Sequence, residues 1–230
     1  MLTLDDLIIE QGDFRLTASW SVPEGSVTAI VGPSGGGKST LLSMIGGYFA
    51  PTSGRIFWSQ TDIGALPPGK RPVSTLFQDN NLFPHLTVAQ NVGLALKPDL
   101  RLGGEEKGRV EAALAEVGLE GFAGRKPGTL SGGQASRAAL ARVLLQSRLL
   151  ILLDEPFSAL GPAMRREMLD LVAEKLKGRT VLMVTHDPED AKQIADLLVM
   201  VDGGVAHAPV ATAEAFASPG PALSAYLGRK

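Results

Sequence analysis

Short, unbroken apolar runs alternate with helical patterns along this chain. Val27–Val31, the run 149–153 and the run 180–185 are each bounded by Gly, Arg or Asp, and each reads as a strand buried on both faces of a parallel sheet. The first and third lead into loops followed by helical patterns. Pro162 opens a segment in which Met164, Met168, Leu171, Val172 and Lys175 recur at helical spacing, and Gly178 ends it. Pro in a first turn and Gly after a last one are start and stop signals with a mechanism. Strands alternating with helices predict an α/β fold with a largely parallel sheet.

The stretch from about 79 to 146 differs. It lacks strong strand runs and carries helical patterns at 105–117 and 132–145. It reads either as a mostly helical lobe inserted between two core strands or as crossover helices within one layer.

Composition narrows the chemistry. The formal net charge of −2 and the lack of a Lys/Arg block give no nucleic-acid footprint. With no cysteine, disulfides, thiolate metal sites and cysteine nucleophiles are excluded. The start Met1-Leu2-Thr3-Leu4-Asp5-Asp6 is acidic where a signal peptide is basic, and no apolar run reaches the roughly 18 to 20 residues of a membrane span. Any membrane role is expected to come through a partner.

Gly32-Pro33-Ser34-Gly35-Gly36-Gly37-Lys38-Ser39-Thr40 fits G-x-x-x-x-G-K-[ST], directly after the Val27–Val31 run and before the helical pattern at 41–45. Glycines let backbone N–H groups converge on an anion, and a helix N-terminus adds its dipole. Lys38 is expected to reach the β- and γ-phosphates of ATP, the Ser39 hydroxyl to ligate Mg²⁺, and Thr40 to lie close to the phosphates. A second motif, Asp154-Glu155-Pro156, ends the run 149–153, at the strand end where ligands of open α/β sheets collect. Asp154 is expected to hold Mg²⁺ through water, and Glu155 to polarise the attacking water as general base. His186 follows the third run and is a candidate contact for the γ-phosphate.

Three further segments carry a resemblance: Leu130-Ser131-Gly132-Gly133-Gln134 before the acidic motif, Gln78 in Leu76-Phe77-Gln78, and His186 after Val184-Thr185. With the phosphate loop, they make the chain resemble, along essentially its whole length, the nucleotide-binding subunit of ATP-binding-cassette (ABC) transporters. As a bare pentapeptide the string 130–134 would be a helix N-cap with Ser131 capping. The resemblance implies a P-loop NTPase (RecA-like) α/β core with a parallel sheet, a small antiparallel N-terminal β part and an inserted helical subdomain. Residues 1–78 and 149–230 would form the core and 79–148 the subdomain, within a single domain of 1–230.

The resemblance also implies a mechanism. Two copies would pack head to tail as an ATP-bound homodimer, with Ser131, Gly132, Gly133 and Gln134 of one closing over ATP on the phosphate loop of the other. Gln78 would sense Mg²⁺ and the attacking water. Integral-membrane permease subunits and, indirectly, a periplasmic or extracellular substrate-binding protein would be partners. The chain would be peripheral, on the cytoplasmic face of the inner membrane.

The string from Arg71 to Val92, including Asp79-Asn80-Asn81-Leu82-Phe83 and Ala89-Gln90-Asn91-Val92, looks like importer subunits of the iron, polyamine and thiamine type, and most like the thiamine type. So does the end at Lys230, without the C-terminal regulatory domain of the maltose and iron relatives. Leu82, Phe83, Leu86 and Val88 form either a docking surface for a permease helix or the packing of the lobe.

Departures from the family pattern are equally specific. Ala135-Ser136 precedes Arg137 where a basic-polar pair is usual, and Gly161 stands where the family usually has Asp. That Asp ordinarily links the two ATP sites, so weaker cooperativity is expected here. The usual adenine-stacking Tyr is missing, and Phe14 is the nearest aromatic. A soluble cassette acting on DNA or ribosomes would usually pair two cassettes or insert long coiled coils, which are not seen. A P-loop kinase would not need the string 130–134.

Overall fold

The computed structural model describes residues 1–228. In chain order, β1 (Leu2–Gln11), β2 (Phe14–Val22) and β3 (Val27–Val31) precede α1 (Lys38–Gly46), then β4 (Ser53–Trp58), β5 (Thr61–Asp62) and β6 (Val73–Leu76). Three helices follow: α2 (Val88–Gly93), α3 (Gly104–Glu116) and α4 (Gly132–Gln146). Next come β7 (Leu150–Asp154), α5 (Pro162–Lys175), β8 (Thr180–Val184), α6 (Pro188–Ile194) and β9 (Leu197–Asp202). The chain ends with β10 (Val205–Ala206), β11 (Val210–Ala211), α7 (Thr212–Ala217) and α8 (Pro221–Tyr226). The chain forms two compact units, one of Met1–Val73, Leu149–Asp154 and Gly178–Lys230, the other of Ser74–Arg148 and Glu155–Lys177.

In the first unit the strand order runs β5-β4-β1-β2-β10-β9-β3-β8-β7, with β11 beside β9. The strands β9, β3, β8 and β7 are mutually parallel. β1, β2 and β4 form the antiparallel part. Both Ile30 of β3 and Asp154 of β7 are in register with Val184 of β8, so the C-terminal ends of these strands reach one edge of the sheet together. The segments that follow β3 and β8 therefore start at that edge.

β3 is buried on both faces, as its unbroken apolar run predicts. Successive side chains of a strand point to opposite faces. Ile30 accordingly joins Leu41, Leu42, Met44 and Ile45 of α1 in one core cluster, while Ala29 and Val31 join Ala191, Leu198, Met200, Ala215 and Leu223 in another. β1 keeps Leu2, Leu4, Leu7 and Ile9 buried although Leu4 and Leu7 are three apart. A register shift lies between them, with Asp6 at φ 44°, and this bulge returns the second pair to the core face.

The second unit is helical apart from the start supplied by β6. α4 packs on α2, α3 and α5, and Val88, Val92, Val110, Leu114, Ala138 and Leu140 are all buried. Thr87 caps α2 reciprocally with Gln90, and Ser131 caps α4 with Gln134. Helical patterns at 105–117 and 132–145 emerge as α3 and α4 with ends shifted by about one residue, the usual fraying of helix boundaries.

Candidate functional site

The segment between β3 and α1 turns tightly on its glycines. Gly36 N–H donates to the Pro33 carbonyl at 3.2 Å, and Leu41 N–H to that of Gly37 at 2.9 Å, opening α1. Two glycines are needed for space as well as conformation. A Cβ on Gly32 (φ 149°) would meet the Val201 carbonyl oxygen at 2.1 Å, and one on Gly37 (φ 97°) the Phe14 ring at 2.5 Å. The helix α1 begins at Lys38, so its positive end lies at the loop.

Lys38 is buried, and its Nζ donates to the carbonyls of Gly32 and Pro33, both at 2.9 Å. Its charge is held within the loop's concavity, where phosphate oxygens are stronger acceptors than carbonyls. Pro33, Ser34 and Gly35 are exposed at the rim.

Ser39 Oγ donates to Asp154 Oδ1 at 2.8 Å, joining the first turn of α1 to the end of β7. A hydroxyl and a carboxylate oxygen side by side are hard donors suited to Mg²⁺, which takes few protein ligands and keeps phosphate oxygens and waters. Among the described residues no group of three His, Asp or Glu side chains converges to hold a metal.

His186 lies beyond the end of β8 at the same sheet edge, its side chain exposed. Its neighbours are tightly held. Thr185 Oγ1 donates to Asp190 Oδ2 at 2.5 Å and accepts from Asp187 N–H at 3.1 Å, while Asp187 caps α6 through Glu189 N–H at 2.9 Å.

Gln78, Ser131, Gly132, Gly133, Gln134 and Glu155 belong to the second unit. Glu155 has φ 44°, the left-handed region that a non-glycine residue enters only when its surroundings hold it there. Its carbonyl accepts from the Ser158 hydroxyl at 3.1 Å. Gln78 is exposed in the turn after β6, and Arg142 of α4 braces the residues that follow by donating to the carbonyls of Asn80 and Asn81 at 2.9 and 2.8 Å.

The string 130–134 sits at the N-terminus of α4. Ser131 Oγ accepts from Gln134 N–H at 3.3 Å, and Gln134 Oε1 from Ser131 N–H at 3.0 Å. The helix-cap reading is thus realised, and it leaves the Ser131 hydroxyl proton as a donor beside the exposed Gly132. Gly133 is filled from outside by Met164, whose Sδ would lie 2.9 Å from an added Cβ. Ser136 is buried, and Arg137 donates to the Val117 carbonyl at 2.7 Å and pairs with Glu167.

Of the apolar quartet, Val88 is fully buried and Leu82 and Leu86 half-buried, while Phe83 is exposed with its ring edge-on to His85. Of the four, only Phe83 is exposed. Asn91, also fully buried, ties the loop between them: its amide oxygen accepts from Phe83 N–H at 2.7 Å, and its Nδ2 donates to the carbonyls of Phe83 and Thr87.

Sequence reasoning missed Arg71. Its guanidinium is buried and donates to the carbonyls of Met44 and Ile45 at the end of α1, at 2.7 and 2.8 Å, and to those of Leu66 and Gly64. It caps the C-terminus of the helix whose N-terminus carries the phosphate loop. Burial pushes its pKa down, opposed by the nearby Asp62 carboxylate. An arginine just before an apolar strand carries no distinctive spacing, so nothing in the sequence marks it.

A protein-family model described as ABC transporter matches residues 16–158. The thiamine import ATP-binding protein ThiQ of Cereibacter sphaeroides is 57% identical over 230 residues, covering 99% of this chain and 100% of that one. The protein of the same name from Ruegeria sp. is 52% identical with the same coverage, and that from Brucella suis biovar 1 is 48% identical, covering 99% of this chain and 95% of the relative. A solved dimeric structure of MJ0796, a bacterial ABC transporter cassette, superposes with a TM-score of 0.80 at 30% identity, covering 92% of this chain and 99% of that one.

Proposed function

The chain belongs to the ATP-binding family of ABC transporters, and from that premise we propose that it energises uptake of thiamine or a thiamine phosphate through a membrane permease. It is an ATPase of that family. The observation that carries the catalytic reading is the Ser39–Asp154 pair beside the buried Lys38, at the edge where β3, β7 and β8 end. Thiamine is favoured because relatives matching over nearly their whole length are thiamine import proteins.

In this reading Lys38 leaves the carbonyls of Gly32 and Pro33 for the β- and γ-phosphates of ATP, while the loop N–H groups cradle them. Ser39, Asp154 and Gln78 would hold Mg²⁺, which would supply neutralisation of phosphate charge. Glu155 orients the attacking water and accepts its proton. His186 contacts the γ-phosphate.

Ser131, Gly132, Gly133 and Gln134 of a second copy complete the site, with α4 aiming its positive end at the γ-phosphate. The dimeric assembly of the similar MJ0796 cassette supports this arrangement. Binding then closes the pair, and hydrolysis reopens it. Among the described residues no helix is long and apolar enough to cross a membrane.

Uptake of labelled thiamine, iron(III) and a polyamine in cells lacking this chain tests the substrate. Loss of thiamine uptake alone is the expected result, and loss of another solute with thiamine uptake intact would overturn it.

A further inference from the structure

Tyr226 ends α8, which packs with Ala29 and Val31 on the face of β3 opposite the one that Ile30 turns to α1. Its ring is partly buried against the cluster of Ala29, Val31, Ala191, Leu198, Met200, Ala215 and Leu223. Its hydroxyl donates to the backbone carbonyl of His186 at 2.7 Å, across 40 residues of sequence.

The segment around His186 is otherwise fixed from the α6 side. Thr185 is buried and bonded to Asp190, and Asp187 is locked as the cap of α6. His186 lies between these two anchored residues with its imidazole exposed. The peptide plane that follows His186 helps set the direction of the His186 Cα–Cβ bond; Thr185 Oγ1 holds its N–H end, and the Tyr226 hydroxyl holds its carbonyl end.

We propose that Tyr226 is a positioning residue for His186, through which the C-terminal helix α8 sets the aim of the imidazole at the phosphate edge. This rests on the reading of His186 as a γ-phosphate contact. The ring's packing and the hydroxyl's hydrogen bond are separable: Tyr226→Phe keeps the first and removes the second. Loss of one orienting hydrogen bond changes turnover through aim rather than through nucleotide binding, which uses the loop 32–40.

The test is steady-state phosphate release by the full-length chain in four forms: wild type, Tyr226→Phe, His186→Ala and the double variant. Tyr226→Phe is expected to lower kcat about three- to tenfold with KM for ATP unchanged. In the His186→Ala background the same substitution is expected to do nothing further, because there is no imidazole left to aim. An equal drop in both backgrounds, or a raised KM with kcat intact, would mark a packing role and overturn the proposal, as would wild-type kcat in Tyr226→Phe. Wild-type turnover in His186→Ala would instead overturn the reading of His186 itself. A thermal midpoint for Tyr226→Phe close to wild type shows that the fold is kept.

Discussion

Ser39 Oγ and Asp154 Oδ1, separated by 115 residues in the chain, stand 2.8 Å apart and join the first turn of the phosphate-loop helix to the tip of β7. Each is an oxygen donor for the same cation in the mechanism above. Asp154→Asn keeps the shape and removes the charge, so the magnesium concentration for half-maximal ATPase is expected to rise at least tenfold, with kcat down by about two orders of magnitude. Ser39→Ala should shift the same titration in the same direction but less. A magnesium titration of phosphate release reads both, and unchanged midpoints would remove the pair from the metal site.

Glu155 is the second carboxylate, and its backbone lies in the left-handed region at φ 44°. Glu155→Gln is expected to bind ATP normally and lower turnover by about 10² to 10⁴, the usual contribution of a general base. The ATP-bound pair should then persist and elute as a dimer in size-exclusion chromatography with ATP. A monomeric variant with wild-type turnover would show that Glu155 is not the base.

Arg71 makes four side-chain bonds to backbone carbonyls while buried. Arg71→Met fills the space but leaves those acceptors without their donor, at a cost of about 3 kcal/mol or more. For a chain of this size that corresponds to a fall of roughly 6 to 12 °C in the thermal midpoint. Arg71→Lys keeps the charge but has no planar fork, so it should recover only part of the loss. Differential scanning calorimetry separates the three.

Gly161 caps α5 with φ −65° and ψ 158°, and a Cβ added there meets nothing within 4 Å. The backbone therefore accepts the aspartate that the family usually has. Gly161→Asp is expected to stabilise α5 by a few tenths of a kcal/mol as a better N-cap. If the missing carboxylate weakens coupling between two ATP sites, the Hill coefficient for ATP should also rise. A raised midpoint with an unchanged Hill coefficient would assign the residue to capping alone.

Legibility followed physical distinctiveness. The strands β3, β7 and β8 were readable because burial on both faces leaves unbroken apolar runs, and α5 because Pro162 and Gly178 punctuate it. β1 was not, since the bulge at Asp6 breaks the alternation that would have marked it. The phosphate loop was readable because its chemistry needs glycines at fixed spacing. Arg71 and Tyr226 were not, because each acts on a backbone carbonyl remote in sequence, and carbonyls carry no sequence signature. Phe14 is a middle case: it is the aromatic nearest to where adenine stacking is expected, and its ring lies against Gly37 of the phosphate loop while also packing on the core.

The central claim, that ATP hydrolysis on this chain drives thiamine uptake, is tested most directly by complementation. Cells lacking the chain are supplied with the wild-type sequence or with Glu155→Gln at matched abundance, and uptake of labelled thiamine is timed. Full recovery is expected with the wild type and background uptake with the glutamine variant. Recovery by both, or thiamine uptake that never depended on the chain, would contradict it.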